Sequence, residues 1–148
     1  MIYVERYHDI SSGHRVVGHE GKCALLHGHN YRFHFTAIAV EGLDEVGRVV
    51  DFSVLKSTIC QWLEDNWDHR FLAWEKDQVM LSLRSCANEQ SDEILMRSIV
   101  WLPFNPTAEN LADHIRLVVS PLVLPWNIRL TCVRVEETRK CSAISSLI

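Results

Sequence analysis

Residues 29–41, HNYRFHFTAIAVE, are dense in aromatic and β-branched side chains that alternate with polar ones, and residues 2–10, IYVERYHDI, alternate in the same way. Side chains two apart on a strand share a face, so the alternation marks two strands. Ser11-Ser12-Gly13 interrupts the first, and the connection from Gly18 to Gly28 lets the two pair antiparallel. Arg48-Val49-Val50, beyond the turn from Gly42 to Gly47, is expected to continue the second strand.

Downstream the period changes. Val54, Leu55, Thr58, Ile59, Trp62 and Leu63 recur at helical spacing between Ser53 and Trp67, with Asp51 or Ser53 available as N-cap. Thr107 is a suitable N-cap for a second helix, with Glu109 in its favourable first turn and an apolar stripe of Leu111, Ile115, Val118 and Val119 that Pro121 should end or kink. Residues 127–138 read as a strand with Ile128, Leu130, Cys132 and Arg134 on one face, and residues 143–147 as its hairpin partner. Residues 75–98 lack a convincing period and are expected to form an irregular excursion with a helical turn near 93–97. The order ββααββ predicts a single α+β domain over residues 1–148: a four-stranded antiparallel sheet with two helices on one face.

Hydrophobic residues at 47% and charged residues at 23% fit a globular domain and exclude a disordered or disulfide-scaffold chain. A formal charge of -4, with no basic run longer than Arg139-Lys140, argues against a nucleic-acid binder. No stretch has the apolar length of a membrane span, and residues 1–10 resemble no targeting segment, so a cytoplasmic location is expected. The five cysteines, Cys23, Cys60, Cys86, Cys132 and Cys141, form no CxxC pair and read as reduced thiols.

The chain has eight histidines, and His14, His27 and His29 fall within sixteen residues, with Cys23 among them. On an extended chain His27 and His29 share a face about 6.6 Å apart, and His14 on a neighbouring strand can supply a third nitrogen. Three imidazoles suit zinc and leave a fourth position for water or substrate. A bare HxH also fits surface histidines in a polar loop. Cys23 is open to three readings: an inert thiol, a fourth ligand that closes the site, or a thiolate beside the metal acting as base or nucleophile. In Asp68-His69 a carboxylate can orient an imidazole for proton transfer, and in Glu136-Glu137-Thr138 a buried carboxylate can accept two N–H bonds from a guanidine-like ring edge. His8, His19, His34 and His114 receive no role; His34 should face away from His27 and His29, and His114 should lie near the polar side of its helix.

Six fragments in order, Gly13-His14-Arg15-Val16, Cys23-xxx-His27-Gly28-His29-Asn30-Tyr31, Val50-Asp51-Phe52-xx-Leu55-Lys56, Asp68-His69-Arg70-Phe71-Leu72, Pro106-Thr107-Ala108-Glu109-Asn110-Leu111-Ala112 and Val133-Arg134-Val135-Glu136-Glu137-Thr138, resemble the 6-pyruvoyl- and 6-carboxy-tetrahydropterin synthase family. The spacing from Cys23 to His27 resembles the bacterial 6-carboxy branch. The resemblance implies His14, His27 and His29 as zinc ligands, Cys23 as a catalytic thiol off the metal, and Asp68 and His69 as a second proton-transfer pair. It implies Glu137 as the group that grips the pterin, with Thr107 and Glu109 lining its pocket. It further implies the tunnelling fold, a homo-oligomer (trimer or hexamer) with active sites between subunits, and a zinc-dependent lyase. The expected reaction takes 7,8-dihydroneopterin triphosphate to 6-carboxy-5,6,7,8-tetrahydropterin with release of acetaldehyde and triphosphate, in 7-deazaguanine (queuosine precursor) synthesis. The alternatives are triphosphate elimination without carbon–carbon cleavage, giving 6-pyruvoyl-tetrahydropterin, or a non-catalytic zinc-stabilised module that binds pterin or purine.

Overall fold

A computed structural model describes residues 1–147, and the side chains of all of these except 89–91; Ile148, the end of the expected domain, lies outside the described residues. Strand β1 (Val4–His14) pairs antiparallel with β2 (His27–Ala39) in a register that sets His14 opposite His27. Helix α1 (Phe52–Leu55) runs through a wide π turn, Lys56–Cys60, into α2 (Gln61–Asn66). Asp51 is the cap, its carboxylate accepting from the Ser53 N–H. Helix α5 (Ala108–His114) is capped by Thr107, whose hydroxyl accepts from the Asn110 N–H at 3.3 Å. Its chain continues as a π turn (Ile115–Val119) and then a tighter helix (Ser120–Trp126), so Pro121 changes the winding without ending it. Strand β5 (Ile128–Thr138) pairs with β2 and with β6 (Cys141–Ser146), the expected hairpin.

The sheet corrects the four-strand expectation. Among the described residues it has six strands in the order β4-β3-β1-β2-β5-β6, because β3 (Phe71–Trp74) and β4 (Ile99–Leu102) add a parallel extension beside β1. Between them lie α3 (Gln78–Ser85) and α4 (Glu89–Ser98), helical where an irregular excursion was expected. Asp77 starts α3 by accepting from the Val79 and Met80 N–H groups, and Met80 packs with Ala73 and Ile99 in a small second core that Phe71, Leu95 and Trp101 flank. Arg48-Val49-Val50 is not a strand, although Val49 and Val50 are buried.

The main core joins the inward face of β2 (Tyr31, Phe33, Phe35, Ala37) to Leu55, Ile59, Leu63, Leu111 and Ile115 of the helices. Two details depart from strict periodicity. Strand β5 carries a bulge, with Cys132 opposite Thr36 but Leu130 opposite Ala37, so Thr131 is the extra residue. The bulge flips the phase: Ile128 and Leu130 point inward before it, and Val133 and Val135 after it, instead of Cys132 and Arg134. On the second helix Val118 is exposed, while Leu111, Ile115 and Val119 are buried.

His114 also differs from expectation, since it stacks on Trp67 at 5.7 Å and touches Phe104 in place of a polar surface. Burial lowers its pKa below the usual 6.5. The folded state therefore keeps the imidazole neutral, and as pH falls below 6.5 the unfolded chain takes up that proton first and stability is lost. We expect the urea midpoint to drop between about pH 7 and pH 5.5, and to drop less in His114→Gln. Equal drops in the two proteins would remove His114 as a contributor.

The face of β1, β2 and β5 opposite the helices is polar. Arg32 pairs with Asp9 at 2.7 Å, and His34 bridges Arg134 and Glu136. His34 thus faces away from His27 and His29, as alternation requires. Among the described residues no helix is long and apolar enough to cross a membrane.

Candidate metal centre and active-site cleft

The pairing of β1 with β2 builds the centre. His14 at the end of β1 lies opposite His27, and Ser12 lies opposite His29, so strand alternation brings all three imidazoles to the helix-facing side of the sheet. One ring nitrogen from each lies within 4.8 Å of the other two. Carbonyl groups decide which nitrogen faces inward. The Nδ1–H of His14 donates to the Pro106 carbonyl at 2.7 Å, and the Nδ1–H of His27 to the Leu25 carbonyl at 2.7 Å. In the neutral imidazole that bond leaves the lone pair on Nε2, and the two Nε2 atoms stand 3.1 Å apart. Two lone pairs at that distance repel each other unless a cation lies between them. The Nε2 of His29 is buried with no hydrogen-bond partner, so it too is free to ligate. Burial holds the His14 pKa at about 4, which keeps the ring in the form a metal requires. The donor set therefore fits a divalent cation bound by imidazoles, with carbonyl partners fixing two of the rings.

The cleft beside this cluster has a volume of 260 Å³ and is lined by Cys23, Thr107, Glu109 and Glu137, together with His19 and Cys141. Cys23 lies on a short helical turn (Lys22–Ala24) in the β1–β2 connection and is half-buried. The connection is held from two sides. The Val16 N–H donates to the Cys23 carbonyl at 2.7 Å, and the Asn105 amide both accepts from the Val17 N–H and donates to the Val17 carbonyl. The turn that supplies Thr107 and Glu109 is thereby tied to the loop that supplies Cys23. The Cys23 thiol is not among the ligand atoms that lie within 4.8 Å of one another, and it lines the cleft beside them.

The two adjacent glutamates separate by strand alternation. Glu136 is on the polar face, tied to His34, Arg134 and Arg139. Glu137 points into the cleft, its Oε1 3.8 Å from the Nε2 of His14. Burial pushes the Glu137 pKa up, the neighbouring Glu109 carboxylate adds to the rise, and His27 opposes it. Two carboxylates in a half-enclosed cleft attract a ligand edge rich in N–H donors.

Asp68 and His69 lie elsewhere. Asp68 accepts from the Ser11 N–H at 2.8 Å and from the Nδ1–H of His69 at 2.7 Å. Burial alone would raise its pKa, but the hydrogen bonds from Ser11 and His69 outweigh it and hold the carboxyl below its usual range. His69 adopts φ +56, a left-handed conformation uncommon for a residue with a side chain, and its N–H is anchored to the Ser11 carbonyl at 2.7 Å. The imidazole is 81% exposed and borders a 550 Å³ depression lined by Ser11, Gly13, Asn30, Arg70 and Phe71. Ser11 and Asn30 bond to each other on the face away from the helices, so within one chain the dyad and the Cys23 cleft open on opposite sides of the sheet. Gly13 is required beneath this depression, since a Cβ there would stand 2.5 Å from the Phe71 ring.

Tyr31 was not expected at the site. It continues the alternation His27-x-His29-x, its ring lies 5.3 Å from His29, and its hydroxyl is buried without a partner. Burial, then the charges of Glu137 and Cys23, push its pKa up, so it remains a neutral phenol. The period-two run ending at Tyr31 was the available signal.

The sequence profile of the 6-pyruvoyl tetrahydropterin synthase family matches residues 3–146. The chain belongs to this family. A 6-carboxy-5,6,7,8-tetrahydropterin synthase of Rickettsia typhi is 33% identical over 142 residues, covering 95% of this chain and 97% of that protein. A probable 6-carboxy-5,6,7,8-tetrahydropterin synthase of Halobacterium salinarum is 33% identical over 135 residues, with 90% and 79% covered. Among solved structures, an uncharacterized protein of Wolinella succinogenes superposes with a TM-score of 0.86 at 21% identity, over 99% of this chain and 98% of that one. The 6-pyruvoyltetrahydropterin synthase of Plasmodium vivax superposes with a TM-score of 0.69 at 20% identity, over 98% of each chain. The curled α+β sheet is therefore that of the tunnelling-fold synthases, and the relatives support an enzyme of the 6-carboxytetrahydropterin synthase type.

Proposed function

We propose that this chain is the zinc-dependent lyase that converts 7,8-dihydroneopterin triphosphate and water to 6-carboxy-5,6,7,8-tetrahydropterin, acetaldehyde and triphosphate, on the route to 7-deazaguanines. The observation that carries the reading is the single cleft that gathers Cys23, Glu109 and Glu137 beside the three-histidine cluster. Zinc held by His14, His27 and His29 would supply Lewis-acid chelation of the side-chain oxygens of the substrate. The Nε2 atoms of His14 and His27, 3.1 Å apart, are the ring nitrogens that would hold it together with that of His29.

The residues of the chain divide the remaining work. Glu137, at the cleft wall, accepts the N–H groups of the pterin's guanidine-like edge, and Thr107 and Glu109 line the same pocket. Cys23 removes the acidified proton from the first side-chain carbon. His69, oriented by Asp68, moves a proton at the other end of the rearrangement. Because that dyad opens on the opposite side of the sheet from Cys23, it serves the cleft of a neighbouring subunit, and the working enzyme is a homo-oligomer, a trimer or hexamer with sites between subunits.

The test is to incubate the zinc-loaded protein with 7,8-dihydroneopterin triphosphate and measure acetaldehyde and the pterin product together. Acetaldehyde in step with 6-carboxytetrahydropterin is the expected result. A pyruvoyl product without acetaldehyde would move the chain to the activity named for the Plasmodium vivax neighbour. No turnover by a folded, zinc-bound oligomer would leave a pterin-binding module.

A further inference from the structure

The cleft that holds the pterin in this reading contains Glu109 and Glu137 and no lysine or arginine among the described residues lining it. A triphosphate carries several negative charges at neutral pH, so its tail needs cations from outside that cleft. The surface around His69 has them. Asp68, His69, Arg70, Ile94, Arg97 and Ser98 line a 370 Å³ pocket on the α4 side of the dyad. It adjoins the larger depression, with which it shares His69, Arg70 and Ser98.

The two guanidinium groups of this pocket are available. Arg70 is half-buried, and among the described residues no hydrogen bond or ion pair engages its side chain. Among the described residues Arg97 pairs only with Glu93 one turn earlier on α4, at 3.7 Å with both side chains about four-fifths exposed, a contact of little strength in water. Among the described residues that line the pocket the one acid is Asp68, already engaged through one oxygen by the Ser11 N–H and through the other by His69. On the polar face of the sheet Arg32 is committed to Asp9, and Arg134 and Arg139 are committed to Glu136.

We propose that Arg70 and Arg97 form the anion-binding arm for the triphosphate of a substrate whose ring lies in a neighbouring subunit's cleft, delivered to the same junction as His69. The inference rests on the function proposed above. It gives the α3–α4 segment a role, because α4 carries Arg97 to the pocket and β3 follows directly from Arg70. It also makes the arm a specificity device, since a pterin without phosphates would gain nothing from it.

The measurement is equilibrium binding of two probes, 7,8-dihydroneopterin triphosphate and unphosphorylated 7,8-dihydroneopterin, to the zinc-loaded, full-length oligomer. Wild type should bind the triphosphate more tightly, with inorganic triphosphate competing. Arg97→Ala should weaken the triphosphate probe about 10-fold and Arg97→Glu more, with the unphosphorylated probe unchanged. Arg70→Lys should weaken the triphosphate probe as well, because an ammonium cannot reproduce a planar fork. Arg97 is exposed, so its variants fold even where a change at Arg70 does not. Unchanged triphosphate affinity in both Arg97 variants, with wild type binding both probes, overturns the arm and leaves the enzyme reading intact. Equal losses for both probes overturn it too, because the effect is then not on phosphate. If wild type binds neither probe, the parent reading fails and the arm with it.

Discussion

Replacing Cys23 by alanine should lower acetaldehyde release by about 10²- to 10⁴-fold while the protein still binds one zinc per chain. The range is that for removing a positioned general acid or base. Retained metal follows from geometry, since the thiol lies outside the set of ring nitrogens that converge within 4.8 Å. The two readouts separate the roles a cysteine can have here. A fourth ligand would lose zinc along with turnover, and an inert thiol would lose neither. Structural loss is a weak explanation at this position, because Cys23 is only half-buried and its loop is held by backbone and Asn105 bonds that alanine leaves in place. Zinc content measured beside acetaldehyde, on protein of unchanged oligomeric state, decides among the three.

The parts of this site that could be read in advance are those with a local period. His27, His29 and Tyr31 are two apart on a strand whose apolar alternation continues through Phe33 and Phe35, so their shared face follows from the sequence. The partnership with His14 follows once the strands are paired, and the Asp51 and Thr107 caps follow from residue type beside a helical stripe. What was hidden depends on tertiary context. Phe71-Leu-Ala-Trp74 and Ile99-Val-Trp-Leu102 are four-residue apolar runs covered on both faces, where alternation disappears, and their parallel pairing needs the α3–α4 crossover to close it. The bulge at Thr131 shows as a break in the alternation, Leu130 then Val133, but only the register against Thr36 and Ala37 gives that break a meaning. The side of the sheet on which Asp68-His69 emerges could not be read at all, since it is set by the bonds of Asp68 and His69 to the Ser11 backbone.

That last placement leads to the second large effect. Two inactive variants, Cys23→Ala and His69→Ala, should restore each other when mixed. If each site takes its cleft from one subunit and its dyad from the next, a complete site in a mixed oligomer needs an intact Cys23 from a His69→Ala chain and an intact His69 from a Cys23→Ala chain. Random assembly at equal ratio supplies each with a chance of one half, so activity should return to about a quarter of wild type. If instead one chain furnished both groups, every site would lack one of them and mixing would recover nothing. The exchange must be shown to occur, by unfolding and refolding the variants together and confirming mixed species by mass, because intact oligomers that do not exchange would also show no recovery. Strand geometry favours the first outcome: Cys23 lines the cleft beside the inward-facing histidines, His69 lies with Ser11 and Asn30 on the other face, and the sheet stands between them.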